Sequence, residues 1–103
     1  MDRIAKLKEF LTANPNDAFL NHALALEYVK IGDDGEARRI FEELLEKNPG
    51  YVGSYYHLAK LLERQGQTDL ALSWYEKGME AAKKADDRHA LGELRSAYED
   101  LMY

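Results

Sequence analysis

Three histidines are the residues of this sequence whose chemistry could best serve a metal ion. His22, His57 and His89 fall in three different helical stretches, one in each. Packed helix axes lie about 8–10 Å apart, whereas a metal ligand sits about 2 Å from its ion, so a shared site is disfavoured. The sequence has no cysteine and no His-x3-His spacing to add ligands. We therefore predict no metal and no cofactor.

Two pairs of adjacent carboxylates, Glu42-Glu43 and Asp86-Asp87, are the other candidates for chemistry. Side chains next to each other in sequence point in different directions on a helix, so neither pair can share a proton or a substrate there. The sequence also lacks a nucleophile elbow, a glycine-rich phosphate loop and an HExxH motif. We predict no catalytic residues and no enzymatic activity.

Charge and composition narrow the classes of partner. The 103 residues carry a net charge of −5, and basic residues alternate with acidic ones, as in EARRIFEELLEK. Nucleic acids and anionic lipids attract clustered lysine and arginine, so we expect neither as a partner. The beginning, MDRIAKLKEFL, lacks the long apolar run of a signal peptide, and no stretch approaches the ~20 apolar residues of a membrane span. The expected location is cytoplasmic.

Hydrophobic periodicity and helix-ending residues predict an all-α chain. Two prolines, many alanines and leucines, and glycines after apolar-patterned stretches favour short helices joined by tight turns. The third and fifth helices each show one apolar stripe. The second and fourth are apolar on two sides, so each must face two neighbours, or one neighbour and a ligand. The predicted helices are residues 2–13, 17–31, 35–47, 52–65, 68–84 and 87–103.

The alternation reflects an internal repeat of thirty-four residues. Small alanines recur where two helix backbones would approach, and glycines recur where a left-handed turn would end a helix. A large aromatic residue recurs where it would fill the space between the helix layers. The matched pairs include Leu24 with Leu58, Ala25 with Ala59, Gly32 with Gly66, Ala37 with Ala71, Phe41 with Tyr75, and Glu42 with Glu76.

On these residues the sequence resembles the tetratricopeptide repeat (TPR) family, in particular small bacterial-type members. The resemblance implies an α-α superhelix in a single domain, 1–103. Its parts are a half repeat at 2–15, full repeats at 18–51 and 52–85, and a capping helix at 87–103. Asn21, Leu44 and Lys83 depart from the family pattern. Lys83 stands where a proline is usual, and it lets the fifth helix run longer.

The resemblance also implies a function, because the first helix of each repeat in this family lines a concave groove that binds peptides or proteins. The corresponding partner-binding positions are Phe19, His22, Leu26, Val29, Tyr56, Lys60, Glu63 and Arg64. We expect a protein-binding scaffold that takes a partly apolar ligand, with Lys60 and Arg64 available to an acidic side chain. Two alternatives stay open. The chain's own ends could cover the groove, or a homodimer could form through the groove or the C-terminal helix.

One branch of the family clamps the C-terminal carboxylates of chaperones with lysine, arginine and asparagine side chains. The corresponding positions here are His22, Leu26, His57, Asp87 and Leu91. None of the five matches the residue type that the clamp uses, so this binding mode is not expected.

Overall fold

The computed structural model describes residues 2–103, and six α-helices account for most of them. They are α1 (Arg3–Ala13), α2 (Ala18–Lys30), α3 (Asp34–Lys47), α4 (Gly53–Arg64), α5 (Thr68–Lys84) and α6 (Arg88–Met102). These bounds differ from the predicted ones by at most one residue, and no strand occurs in the described part of the chain. The prediction of an all-α fold is confirmed.

Aspartates begin four of the helices, because their carboxylates accept hydrogen bonds from otherwise unpaired backbone N–H groups. Asp17 accepts from the amide of Leu20 at 2.9 Å, and Asp87 accepts from the amide of Ala90 at 3.0 Å. Asp2 and Asp33 do the same for α1 and α3. In contrast, α4 and α5 begin without a side-chain cap.

One glycine follows the first helix of each repeat, as the sequence predicts. Gly32 after α2 has φ +82°, and Gly66 after α4 has φ +75°. Residues with a Cβ rarely adopt this left-handed conformation, so glycine is the residue that allows the sharp reversal into α3 and α5.

The helices group into two compact units, Met1–Asn48 and Pro49–Tyr103. In the first unit α2 packs against both α1 and α3. Ala25, Ala37 and Phe41 are fully buried there. The ring of Phe41 meets His22 edge to face at 5.8 Å between centroids. The small alanines let α2 and α3 approach, and Phe41 fills the remaining space, as expected from the repeat.

In the second unit α5 packs against both α4 and α6. Leu58, Ala59, Ala71 and Tyr75 are fully buried at the same repeat positions as their counterparts in the first unit. At Gly78 of α5 an added Cβ would lie only 2.7 Å from Cβ of Tyr55, so the two helices cross more closely than alanine would permit. The core of this unit therefore depends on Gly78 having no side chain.

The repeat changes its length after α5. Helix α3 ends at Lys47, but α5 continues three residues beyond the matching position, Ala81. The two buried residues of α6 stand thirty-six residues, rather than thirty-four, after two buried leucines of α4. Leu58 and Leu61 are buried in α4, and Leu94 and Ala97 are buried in α6.

Candidate functional site

The α2 face predicted for binding presents accessible apolar surface. Phe19, at the start of the helix, is 67% exposed. His22, Leu26 and Val29 are each half-buried. These four residues lie along one side of α2 at steps of three and four. This side of the helix thus offers a partly apolar strip with a large aromatic residue at one end.

In the second unit, α4 and α6 enclose an open cleft of about 560 Å³. Tyr56 and Lys60 line it from α4. Gly92 leaves it wide, because a Cβ added there would meet nothing within 4 Å. The α6 residues that line the cleft are Arg88, His89, Gly92, Glu93, Ser96, Ala97 and Asp100.

The four predicted α4 residues divide into different roles. Tyr56 and Lys60 line the cleft, while Glu63 lies behind Lys60 with its carboxylate 3.6 Å from the ammonium nitrogen. Arg64 is exposed at the last position of the helix. Of the four predicted α4 residues, Tyr56 and Lys60 therefore line the cleft, and Glu63 contacts Lys60 without lining it.

Lys60 is held in place by a short chain of contacts. Its Nζ lies 5.7 Å from the centroid of the Tyr56 ring, a cation–π distance. Glu63 pairs with Lys60 and also accepts a hydrogen bond from the hydroxyl of Tyr75 in α5. The Tyr56 and Tyr75 rings meet at a steep angle with 6.4 Å between centroids. Tyr75, a buried residue of α5, thus orients the ammonium group of Lys60 at the cleft through Glu63.

Burial shapes the ionisation of two residues near this cleft. The pKa of Tyr75 is raised far above its ordinary value, first by burial and then by its hydrogen bond to Glu63. Burial lowers the pKa of His57, and the negative charge of Glu93 opposes this in part. Tyr75 therefore acts as a hydrogen-bond donor at neutral pH, and His57 is uncharged there.

Sequence reasoning missed the α6 side of the cleft. From the sequence, residues 87–103 are interpreted as a capping helix, and none of them is among the predicted groove residues. The apolar stripe of α6, aligned on Leu94 instead of on the repeat length, would have placed Gly92 and Glu93 next to the cleft. The signal was present in the sequence but was hidden by the longer α5.

The histidines contact different neighbours. His89 pairs with Glu93 at 3.4 Å, and His57 contacts the ring of Tyr56. Over residues 2–103 no group of three histidine, aspartate or glutamate side chains could hold a metal ion. Within the same residues, no helix has the length and apolar character that crossing a membrane requires.

Helix hairpins that recur along the chain, with small residues at each crossing and an open cleft beside the first helix of a hairpin, define a helical-repeat protein. The tetratricopeptide repeat family matches residues 28–96. The chain belongs to this family, and the resemblance seen in the sequence is confirmed. Proteins with this fold generally mediate protein–protein interaction and generally act as non-enzymatic scaffolds.

Comparisons with known proteins agree on the fold. A tetratricopeptide repeat domain protein from Salinibacter ruber is 42% identical, with a TM-score of 0.82 over 85% of this chain and 89% of that one. The TPR2B domain of yeast Sti1, in its complex with pHsp70, has a TM-score of 0.89 over 96% of this chain and 79% of that one. At 18% identity that likeness shows the fold alone.

A curated human relative, interferon-induced protein with tetratricopeptide repeats 2, is 31% identical over an aligned length of 81, and the alignment covers 75% of this chain. This chain spans only 17% of the length of that protein. The match therefore concerns a repeat segment within a much longer protein.

Proposed function

We propose that this chain is a protein-interaction module that binds a peptide or protein surface through the α4–α6 cleft, with the α2 face as a separate candidate surface in the first unit. The observation that carries the proposal is the cleft itself, where the Tyr56 ring and the Lys60 ammonium lie beside an open volume of about 560 Å³. An open cleft that combines an aromatic ring with several charged side chains is a natural candidate for a binding site. Phe19, at 67% exposure on α2, supports the same reading.

The chemistry of the cleft favours an extended ligand of mixed character. Lys60 and Arg88 offer positive charge, while Glu93 and Asp100 offer negative charge along the α6 wall. The Tyr56 ring provides a flat apolar surface between them. A peptide with one apolar side chain against Tyr56 and an acidic side chain near Lys60 would satisfy these groups. The pairing of Lys60 with Glu63 reduces its free charge, so shape and apolar contact contribute alongside charge.

A pair of matched lysine variants tests the proposal. Lys60 and Lys77 both lie over an aromatic ring, Lys60 over Tyr56 in the cleft and Lys77 over Trp74 on α5. Peptides selected from a displayed library with the wild-type chain should bind Lys60→Ala about fivefold more weakly, the loss of about 1 kcal/mol that marks an interface residue. Binding to Lys77→Ala should be unchanged. Affinities come from fluorescence anisotropy of the selected peptides.

NMR spectra of the labelled chain then locate the bound peptide. Amide shifts should cluster at Tyr56, Gly92 and Ser96 and should vanish in Tyr56→Ala, whose circular dichroism should remain that of the wild type. Shifts confined to α3, or equal binding to the Lys60→Ala and Lys77→Ala variants, would show that the cleft is not the binding site.

Self-association is a second candidate, favoured by one observation. Met102 and Tyr103 at the end of α6 are 46% and 96% exposed. Sedimentation velocity at increasing protein concentration measures it directly. A dimer that dissociates when Met102 is replaced by serine would support pairing through this end of α6, whereas a monomer at all concentrations would exclude it.

A further inference from the structure

A second open cavity in the unit Pro49–Tyr103 lies between the turn that precedes α4 and the last turns of α5. Its volume is about 590 Å³. It shares no residue with the α4–α6 cleft. This cavity, the α5 slot, is lined by Pro49, Gly50, Tyr55, Lys77, Glu80, Ala81, Lys84 and Ala85.

The α5 slot exists because α5 extends beyond the position at which the repeat would end it. The position that matches Pro49 in the next repeat is Lys83, so α5 continues to Lys84 and forms one wall of the slot. Tyr55 lies on the opposite side, fixed by a hydrogen bond from its hydroxyl to the carbonyl oxygen of Pro49 at 2.5 Å. The small residues Ala81 and Ala85 leave the space between these walls unfilled.

The lysines that line the α5 slot form no ion pair with the glutamate that lines it. Glu80 pairs with Lys83, which does not line the slot, at 3.5 Å. Lys77 lies 4.4 Å from the centroid of the Trp74 ring. For Lys84, residues 2–103 provide no carboxylate oxygen within 4 Å. An apolar floor is thus flanked by two lysines, two helical turns or about 10.5 Å apart along α5.

We propose that the α5 slot binds an acidic amphipathic helix of a partner protein. An apolar side chain of that helix enters between Tyr55 and Ala81. Carboxylates two turns apart on the partner meet Lys77 and Lys84, whose spacing along α5 matches theirs. The occupant follows from charge complementarity, since this acidic chain, with a net charge of −5, presents two lysines at the edge of an apolar surface. This site is independent of the proposed function of the α4–α6 cleft.

A blocked synthetic helix with two glutamates two turns apart, and leucine and phenylalanine between them, is a suitable probe. Its twin carries glutamines in place of the glutamates. Titration of the labelled wild-type chain should shift the amides of Gly50, Ala81 and Ala85, and the glutamine twin should bind about three- to tenfold more weakly, as expected when two exposed ion pairs are lost. The difference between the two peptides should shrink as salt is added.

Two variants and a matched control locate the contact. A Cβ added at Gly50 meets nothing within 4 Å, so Gly50→Trp fills the slot without straining the turn and should abolish binding. Lys84→Glu should weaken binding about three- to tenfold. Lys6→Glu changes the net charge equally on α1 and should leave the affinity within about twofold of the wild type, since long-range charge is screened.

Several results would overturn the proposal. Equal affinity for the two peptides would remove the role of the lysines. Shifts at Tyr56 and Gly92 in place of the slot amides would move the peptide to the α4–α6 cleft. Absence of shifts at millimolar peptide would leave the slot without this class of ligand. A concentration-dependent dimer that Gly50→Trp dissociates would show that the occupant is a second copy of the chain.

Discussion

Replacement of Gly78 by alanine should destabilise the protein although alanine is the better helix former. A Cβ at this position would lie 2.7 Å from Cβ of Tyr55 and 3.1 Å from Cδ2 of Leu94, where ordinary carbon contacts are about 3.5–4.0 Å. The Cβ of Tyr55 cannot move by rotation of its side chain, so α4 and α5 must separate. Overpacking of this kind costs about 1–3 kcal/mol, against a gain of about 1 kcal/mol in helix propensity.

Gly92 provides the matched control because it is also a helical glycine in the same unit. It is exposed, and a Cβ there meets nothing within 4 Å, so Gly92→Ala should gain about 1 kcal/mol from propensity alone. The propensity terms cancel when the two variants are compared, and the difference between them measures the steric cost. We expect Gly78→Ala to be less stable than Gly92→Ala by about 1–3 kcal/mol.

Urea unfolding followed by circular dichroism gives both free energies of unfolding, with the slope m as a check that the same surface is exposed. Equal stabilisation of the two variants would refute the close crossing of α4 and α5. It would also refute the explanation that glycine is required at position 78 to admit Tyr55.

Two further predictions concern helix capping and alkaline pH. Gln67 begins α5 with φ −92° and ψ 65°, nearly the angles of the capping Asp33 thirty-four residues earlier. Gln67→Asp should therefore cap α5 and raise the free energy of unfolding by about 0.5–1 kcal/mol in urea titrations, and an unchanged midpoint would contradict this. The folded-state pKa of Tyr75 is raised above the unfolded value near 10, so its contribution is full below about pH 10 and is lost as the pH rises further. Unfolding free energies should fall by about 1.4 kcal/mol per pH unit for this phenol, and Tyr75→Phe should fall less steeply than the wild type.

Local rules account for what could be predicted of the fold. The recurrence of glycine at positions 32 and 66 predicts helix ends, because glycine allows the left-handed turn that ends a helix, and both glycines have positive φ. Ala25 and Ala59 were assigned to close crossings, and both are completely buried. Such positions are determined by the residue itself and its immediate neighbours, so a repeat in the sequence is sufficient to find them.

The candidate site was harder to predict because it depends on how far α5 extends. The departure at Lys83 suggested a longer helix, but not that the burial pattern of α6 would return after thirty-six residues. That offset decides which α6 residues face Tyr56, and the longer α5 forms one wall of the slot beside Gly50. The apolar stripe of α6 carries part of this information, but the packing between helices that forms the cleft and the slot is not encoded by a local pattern.

The same offset gives a physical reason to regard 87–103 as a capping helix. In α2 and α4 the matching repeat position holds Ala25 and Ala59, both fully buried. Thirty-six residues after Ala59 stands Arg95, which is exposed on α6. A helix packed on α6 as α5 packs on α4 would have to bury that guanidinium group, at a cost of several kcal/mol unless it were paired. Arg95 therefore favours a solvent-exposed surface on this side of α6, whereas the corresponding side of α4 is covered by α5.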